Sequence, residues 1–574
     1  MSDLANRHRP VGCELPVGPL DKPGHLGQSL PSMSEVPAPG ESDRLVPVYS
    51  RLDDEAGKAS VSSRPKEEAL PSLRWWHFLV FAVIYLYAFP YFDRLRNANE
   101  MPRILMTKAI VDRGVLNIDP SMGELQSISD TSVAPNGHRY PNKAPGPSFL
   151  AVPVYALCKL LGATSLRSVT WAFRVTVVTL PALFFLPLFY RFSRRFTVSE
   201  SARRAALIAF ALGSQAFPYA LLFMSHALAT AFLGIGFVAA VRLVRDNPER
   251  WYRAAVLAGF ACAMAVMMDY QSVMAAAVIG LYVLARGSKR IRNTMWMAAG
   301  ALPPAVALAT YQKVAFGSFT RTGYDFGVDQ STKSGFMGII GFNKAALTST
   351  FILPSNGILV LAPWVVLALV GGVAIARERD ARRRMGAEAT VCATIGIAYL
   401  LFLSSLLPYM ARGGWCVGPR YMTVAMPFVA WLAAVGIQAA ERWTATRVLA
   451  LALVVASVTI FVVGGTTFPH WPDRLDSPLY DLVFPLLWRG YAVHSFGTLV
   501  GLQGLAAILP LYLFTPVSML WLLGLLRRRS LPTAAMVCGL AAMIVIGHRA
   551  FPRTDPNRVS PWPMIHSVWE PRHR

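Results

Sequence analysis

The sequence predicts an all-α polytopic membrane protein. Three observations lead there. Of 574 residues, 54% are hydrophobic and 15% charged, with a mean hydropathy of +0.42, whereas soluble domains carry about 25% charged residues. Apolar runs approaching the ~20 residues needed to cross a bilayer recur along most of the chain. The gaps between them fall into two kinds, short and arginine-rich or long and mixed in charge.

The net charge of +23 does not call for nucleic acid as a partner. Its arginines sit in short gaps between apolar runs, the pattern that fixes orientation in a bilayer. The six cysteines (Cys13, Cys158, Cys262, Cys392, Cys416 and Cys538) are scattered singly, so neither a disulfide framework nor a zinc site is indicated. The first residues are polar and the first apolar run follows Arg74, so no cleavable signal peptide is expected.

Taken in order, residues 1–72 are rich in Pro, Ser, Gly and charge and read as a disordered cytoplasmic tail. A transmembrane domain then covers 73–548. The runs 75–91, 168–190, 205–224, 226–241, 254–268, 271–285, 294–314, 357–376, 389–409, 423–440, 447–465, 497–526 and 531–548 give about 13 transmembrane helices. A further run, 147–161, is too short to cross, reaching ~22 Å at 1.5 Å per residue, and it contains Pro147 and Pro153. It is taken as a helix lying in the outer interface. With that choice every arginine-rich gap (191–204, 241–253, 286–292, 377–384, 441–447 and 527–529) falls on the cytoplasmic side. The N-terminus is then inside and the tail 549–574 outside. Long outer segments fall at 92–146, 315–350, 410–422 and 466–496, so chemistry is expected on the outer face.

The first outer loop, 92–146, opens with charge and contains "NANEMPRILMTKAIVDRG" (97–114). Asn99 suits a helix cap, Glu100 the positive end of the helix dipole and Gly114 a helix stop. Lys108 and Asp112 interrupt the apolar stripe, which suits an interfacial helix. Glu100, flanked by Arg96 and Arg103, is also placed to act as a general base at the mouth of a cavity. Further along, "NKAPGPSFLAVPVYALCKLLG" (142–162) puts Lys143 just before the interfacial helix. It reads either as a headgroup anchor or as a phosphate contact.

These two segments resemble the multispan glycosyltransferases of the GT-C type that use polyprenyl-phosphate sugars, the protein O-mannosyltransferases and lipid A aminoarabinose transferases. In that family an Asp-Glu pair opens a juxtamembrane helix in the first outer loop, and a Lys-Pro-Pro-like segment leads into a second. The resemblance implies transfer of a sugar from a polyprenyl-phosphate donor to a glycan, lipid or protein acceptor, with inversion at the anomeric carbon. It also implies a bacterial cytoplasmic membrane location. It does not settle a metal requirement. The family's catalytic Asp is replaced here by Asn99, which cannot accept a proton at neutral pH, so the base is expected at Glu100 or at Asp93.

Several outer-side positions are candidates for substrate binding alongside Asn99, Arg103 and Lys143. His226 sits at a tight outer turn in "LLFMSHALATAF", and Asp269 at another in "MMDYQS". Tyr324 lies in the Gly-rich segment 316–338, which reads as a substrate-side loop or a plain connector. Arg412, Arg420 and Tyr421 surround the Gly-Gly-Trp turn of "YMARGGWCVGPRYM" (409–422), either as interface anchors or as phosphate ligands. A secondary transporter is the main alternative, but it calls for repeat symmetry and ionisable groups near the midplane, and neither is evident. A non-catalytic scaffold for envelope assembly is the other.

Overall fold

The computed structural model describes residues 70–551 and 562–568, apart from 96, 126–128, 330–334, 336–337, 408–409, 412 and 473–474. Residues 1–69 of the N-terminal tail and most of the C-terminal tail therefore lie outside the described residues, as does Arg412.

The fold is all-α. Eight helices are long and apolar enough to cross a membrane: Leu166–Arg195, Ser225–Asp246, Trp251–Met268, Arg379–Ser404, Arg420–Ala440, Thr444–Thr467, Gly504–Leu522 and Arg528–Ala550. Shorter apolar helices run over Trp75–Tyr87, Gly146–Leu160, Ser272–Arg286, Pro363–Arg377 and Leu479–Trp488. The helix Arg290–Phe316, 27 residues long, carries Pro303 and Pro304 in its interior. The run 205–224, read as one span, is two helices, Glu200–Ala211 and Ala216–Ala220. At the break Ser214 turns its hydroxyl back to Phe210 O at 2.6 Å and accepts the Ala216 N–H at 3.1 Å.

Helices approach closely where side chains are small. A Cβ on Gly300 would lie 2.1 Å from Val256 O, and one on Gly259 would lie 1.7 Å from Met297 O. The helices Trp251–Met268 and Arg290–Phe316 thus meet nearly backbone to backbone. Lipid gives apolar helices no hydrophobic drive to associate, so such close packing is what holds them.

The arginine-rich gaps gather at one end of the helices. Arg195 pairs with Asp246, Arg245 with Glu388 at 2.6 Å, and Ser199 donates to Glu441 at 2.9 Å. Arg204 binds Glu200 at 2.9 Å and donates to Leu522 O at 2.7 Å and to Pro71 O. These contacts tie the gaps 191–204, 241–253 and 441–447 together, with the start of the described chain beside them.

The first-loop helix is Met101–Arg113. Its start is capped by Asn97, not by Asn99 as the sequence suggested: Asn97 Oδ1 accepts the N–H groups of Asn99 at 2.8 Å and Glu100 at 3.2 Å. Pro102 suits the first turn, where its missing N–H is not needed. Gly114 ends the helix at φ 67°, a left-handed value that a Cβ disfavours. The two polar interruptions are satisfied: Lys108 binds Glu124 at 2.9 Å, and Asp112 accepts from Tyr155 at 2.9 Å and Lys159 at 2.7 Å. The last two partners sit on the helix Gly146–Leu160, which also clasps the first helix through Ser148 Oγ to Arg103 O at 3.0 Å and Thr107 Oγ1 to Ser148 O at 3.1 Å. That second helix exposes Leu157, Leu160 and Leu161, the apolar face expected of an interfacial element.

Between the two helices lies a β-hairpin, Thr131–Val133 paired antiparallel with Arg139–Pro141. The turn is Pro135-Asn136-Gly137, with Gly137 at φ 82°. Ser132 donates to Gly323 O at 2.6 Å, and Val328 N–H to Thr131 O at 3.0 Å. The segment around Tyr324 therefore lies against the hairpin rather than hanging free.

Candidate active site

At the end of the molecule opposite the arginine clusters, six separate stretches of chain meet around one cavity of about 250 Å³. Its lining includes Asn99, Arg103, Lys143, Ser225, His226, Asp269, Tyr270, Tyr324, Arg420 and Tyr421. Eight of the residues singled out in the sequence are therefore neighbours: Asn99, Arg103, Lys143, His226, Asp269, Tyr324, Arg420 and Tyr421.

Each is delivered by the local structure just described. Arg103 is one turn into the first-loop helix and is 2% exposed. Its Nη1 donates to Asn99 O at 2.7 Å and to the Asn99 side chain, and its Nη2 approaches Ser225 Oγ at 3.4 Å. Lys143 follows the hairpin, and its Nζ lies 2.9 Å from Asp130 Oδ1 and 4.8 Å from the centre of the Tyr324 ring. Arg420 begins its span under the Gly-Gly-Trp turn. Gly413 there has φ 79°, and a Cβ on it would lie 3.0 Å from Arg420 Cγ, so the turn both requires glycine and holds the guanidinium from behind. Arg420 Nη2 donates to the Tyr421 hydroxyl at 3.3 Å.

Asp130 was not singled out from the sequence. It sits immediately before the hairpin at φ 58°, a left-handed conformation that Asp tolerates better than most residues. Burial would raise its pKa, but the Lys143 ammonium and the Arg420 and Arg103 guanidiniums outweigh burial and hold the carboxyl down at about 2. Burial likewise opposes the charge on Lys143, yet Asp130 beside it pushes the ammonium above its usual range. Burial pushes the Tyr324 hydroxyl up to about 12 despite Lys143, so it stays a neutral donor.

The cation count exceeds the carboxylate count. Arg103, Lys143 and Arg420 face Asp130 and Asp269. Lys143 is paired with Asp130, while no carboxylate oxygen lies within 4.0 Å of either guanidinium among the described residues. The Nε atoms of both Arg103 and Arg420 are buried without a hydrogen-bond partner. A buried charge left unpaired costs several kcal/mol, so this arrangement suits an anionic guest.

Glu100 and Asp93, expected to supply the base, lie outside this lining. Glu100 is 3% exposed, and both its oxygens are taken by Arg174, at 2.9 Å and 2.7 Å. Its Oε1 also accepts the Phe223 N–H at 2.5 Å. Burial would raise its pKa, but Arg174 overcomes this and leaves it below the ordinary value. Arg174 is oriented by a further bond to Pro90 O at 3.1 Å and sits at the start of a widened helical turn, Arg174–Thr179. Three of the roughly four lone-pair positions of Glu100 are thus taken, and the residue does not line the cavity that holds the cations. Asp93 is paired with Arg167. A second and larger pocket, of about 330 Å³, lined by Asn97, Glu100, Arg174 and His470 among others, lies on the Glu100 side of the helix start. Among the described residues no cluster of three His, Cys, Asp or Glu side chains is placed to hold a metal ion.

Fold and cavity together define an all-α polytopic membrane protein with an anion-seeking polar hollow at one end of its helices. No protein-family model matches the chain, and no curated protein does. Among solved structures it is similar to the archaeal oligosaccharyltransferase AglB from Archaeoglobus fulgidus in complex with an inhibitory peptide and a dolichol-phosphate. That likeness has 12% identity over 72% of this chain and 58% of that one, with a TM-score of 0.43. The Archaeoglobus fulgidus oligosaccharyltransferase in complex with Zn and sulfate is similar at 14% identity, covering 72% and 54%, with a TM-score of 0.43. Arabinosyltransferase EmbB from Mycobacterium smegmatis is similar at 16% identity, covering 87% and 42%, with a TM-score of 0.40. The chain spans about half the length of these solved structures.

Proposed function

We propose that the protein transfers a sugar from a polyprenyl-phosphate donor to an acceptor hydroxyl on the outer face of a bacterial cytoplasmic membrane, with inversion at the anomeric carbon. One observation carries the reading: the buried Arg103 and the half-buried Arg420, neither with a carboxylate within 4.0 Å among the described residues, share a cavity with Lys143 beside the helix Gly146–Leu160. Arginine binds phosphate through paired donors and lysine as a point charge. The lipid tail reaches such a site along the apolar face of the interfacial helix, and the phosphate docks among the cations.

When the glycosyl–oxygen bond breaks, negative charge collects on the departing lipid phosphate. Arg103 is buried and Arg420 and Lys143 are half-buried, and all three are held in place before the reaction, so they stabilise that charge without reorganising. One such donor is worth roughly 3–4 kcal/mol, or 10²–10³ in rate. Asp130 has a second role here. By holding Lys143 in the empty site, it avoids an unpaired ammonium until the phosphate competes for it.

Membranes containing the wild-type chain are expected to transfer radiolabel from a polyprenyl-phosphate sugar, tried across hexose and pentose donors. Arg420→Ala and Lys143→Ala each lower that transfer about 10²-fold or more. Full transfer by both variants would remove the cations from the reaction. No transfer by the wild type from any such donor would remove the reaction itself.

A further inference from the structure

An acceptor hydroxyl must lose a proton as it attacks, and neither Glu100 nor Asp130 is well placed to take it. Glu100 is held by Arg174 and the Phe223 N–H and lines another pocket. Asp130 is engaged by Lys143. The cavity contains another candidate at the head of the span Ser225–Asp246. His226 is 3% exposed, and its Nδ1 lies 2.7 Å from Asp269 Oδ2. That same oxygen accepts from Gln271 Nε2 at 3.0 Å and from Ser225 Oγ at 3.3 Å, which fixes the carboxylate. The imidazole is gripped by two rings standing across it, Tyr219 at 5.4 Å and Tyr421 at 5.6 Å between centroids. Both ring nitrogens are buried without a hydrogen bond: Nδ1 is within ion-pair distance of Asp269 but off the hydrogen-bond angle, and Nε2 has no polar partner.

We infer that His226 and Asp269 form the proton-accepting dyad of the transfer, His226 as the base and Asp269 as the positioning residue. A small rotation of the ring brings Nδ1–H onto the carboxylate 2.7 Å away, which holds the proton of the neutral ring there and leaves the lone pair of Nε2 to the cavity. This is the logic by which an acid orients a catalytic histidine in unrelated hydrolases. In the step, the acceptor oxygen forms its bond to the anomeric carbon and gives its proton to Nε2. The bond from that carbon to the phosphate oxygen breaks, and its electron pair leaves on the polyprenyl phosphate held by the cations. Asp269 offsets the charge gained by the imidazolium, which passes its proton to water after product leaves. The inference rests on the sugar-transfer reading above and names the base for it.

The test compares steady-state transfer by the full chain in nanodiscs for the wild type, His226→Asn, Asp269→Asn and the double variant. His226→Asn places an amide where Nδ1 lies and so preserves the contact to Asp269. It is expected to lower kcat about 10²–10⁴-fold while the donor KM stays within about threefold of wild type. Asp269→Asn lowers kcat less, and the double variant is no slower than His226→Asn alone, because Asp269 acts only through the ring. A His226→Asn enzyme with kcat near wild type, a loss confined to KM, or additive losses in the double variant would each overturn the dyad. An inactive wild type would instead overturn the sugar-transfer reading, so the two failures are distinguishable. Should His226→Asn not fold, the Asp269→Asn result decides: an unchanged kcat, or an effect on KM alone, overturns the proposal.

Discussion

At the scale of residues, the contrast between Glu100 and Arg103 shows how three positions along one helix start divide two kinds of work. Glu100 faces Arg174 and locks the first loop onto the span Leu166–Arg195. Arg103 faces the cavity and waits for an anion. Breaking a buried ion pair by removing one charge costs about 3–5 kcal/mol, because the partner is left uncompensated. Glu100→Gln is therefore expected to lower the thermal unfolding midpoint in detergent, and Arg174→Met in the same chain to add much less than its own single cost. Additive losses would mean that the two side chains do not depend on each other.

His470, next to that pair, gives a pH-dependent prediction. Burial lowers its pKa, Arg174 assists and Glu100 opposes, and the group comes to about 4. The folded state therefore holds the ring neutral where the unfolded chain protonates it. The stability it contributes is fully present above the unfolded value near 6.5 and is lost as pH falls from about 6.5 to about 4, amounting to about 3 kcal/mol. Thermal melts of wild type and His470→Gln from pH 7.5 to pH 4 check this: the wild type falls more steeply in that window. Parallel curves would contradict the assignment. Neither the Glu100–Arg174 pair nor Asp130 was legible beforehand. Arg174 lies 74 residues from its partner, at a position the topology could only place toward a span end. Asp130 is a lone acid in a Ser-rich loop with no motif spacing, and the one available signal was its place before a Pro-Asn-Gly turn, opposite Lys143.

At the scale of elements, hydrophobic runs located nearly every helix, because in a bilayer the apolar length of a segment and its secondary structure are the same constraint. Breaks inside a run were not legible. The split between Ala211 and Ala216 depends on a serine hydroxyl satisfying backbone groups in a buried turn, which hydropathy does not register. The positions that meet in the cavity were legible for another reason. Most sit beside helix ends, and helices that run back and forth bring alternate ends to one side. Close helix contact yields a prediction of its own. Leucine at Gly300 would collide with the backbone of Val256, so Gly300→Leu is expected to force the two helices apart and to reduce the yield of monodisperse protein, whereas Gly280→Leu, with open space around the glycine, leaves it unchanged. Equal yields would show that the approach is not needed.

At the scale of the whole molecule, the two ends are chemically distinct. One holds arginines paired with acids and backbone carbonyls. The other holds guanidiniums without acids around a hollow roofed by a hairpin and two short helices. A protein that merely anchored itself in lipid would have no reason to bury unpaired arginines, since an exposed arginine can reach the headgroups at little cost. The burial of Arg103 and of the Nε of Arg420, with no acid beside either, is thus the feature on which the functional account stands. It is tested most directly by binding a sugar-free polyprenyl phosphate to the purified chain in nanodiscs and measuring affinity for wild type and for Lys143→Ala/Arg420→Ala. The account predicts saturable binding by the wild type and at least a 10²-fold weaker affinity in the double variant. Equal affinities, with both proteins monodisperse, would contradict it.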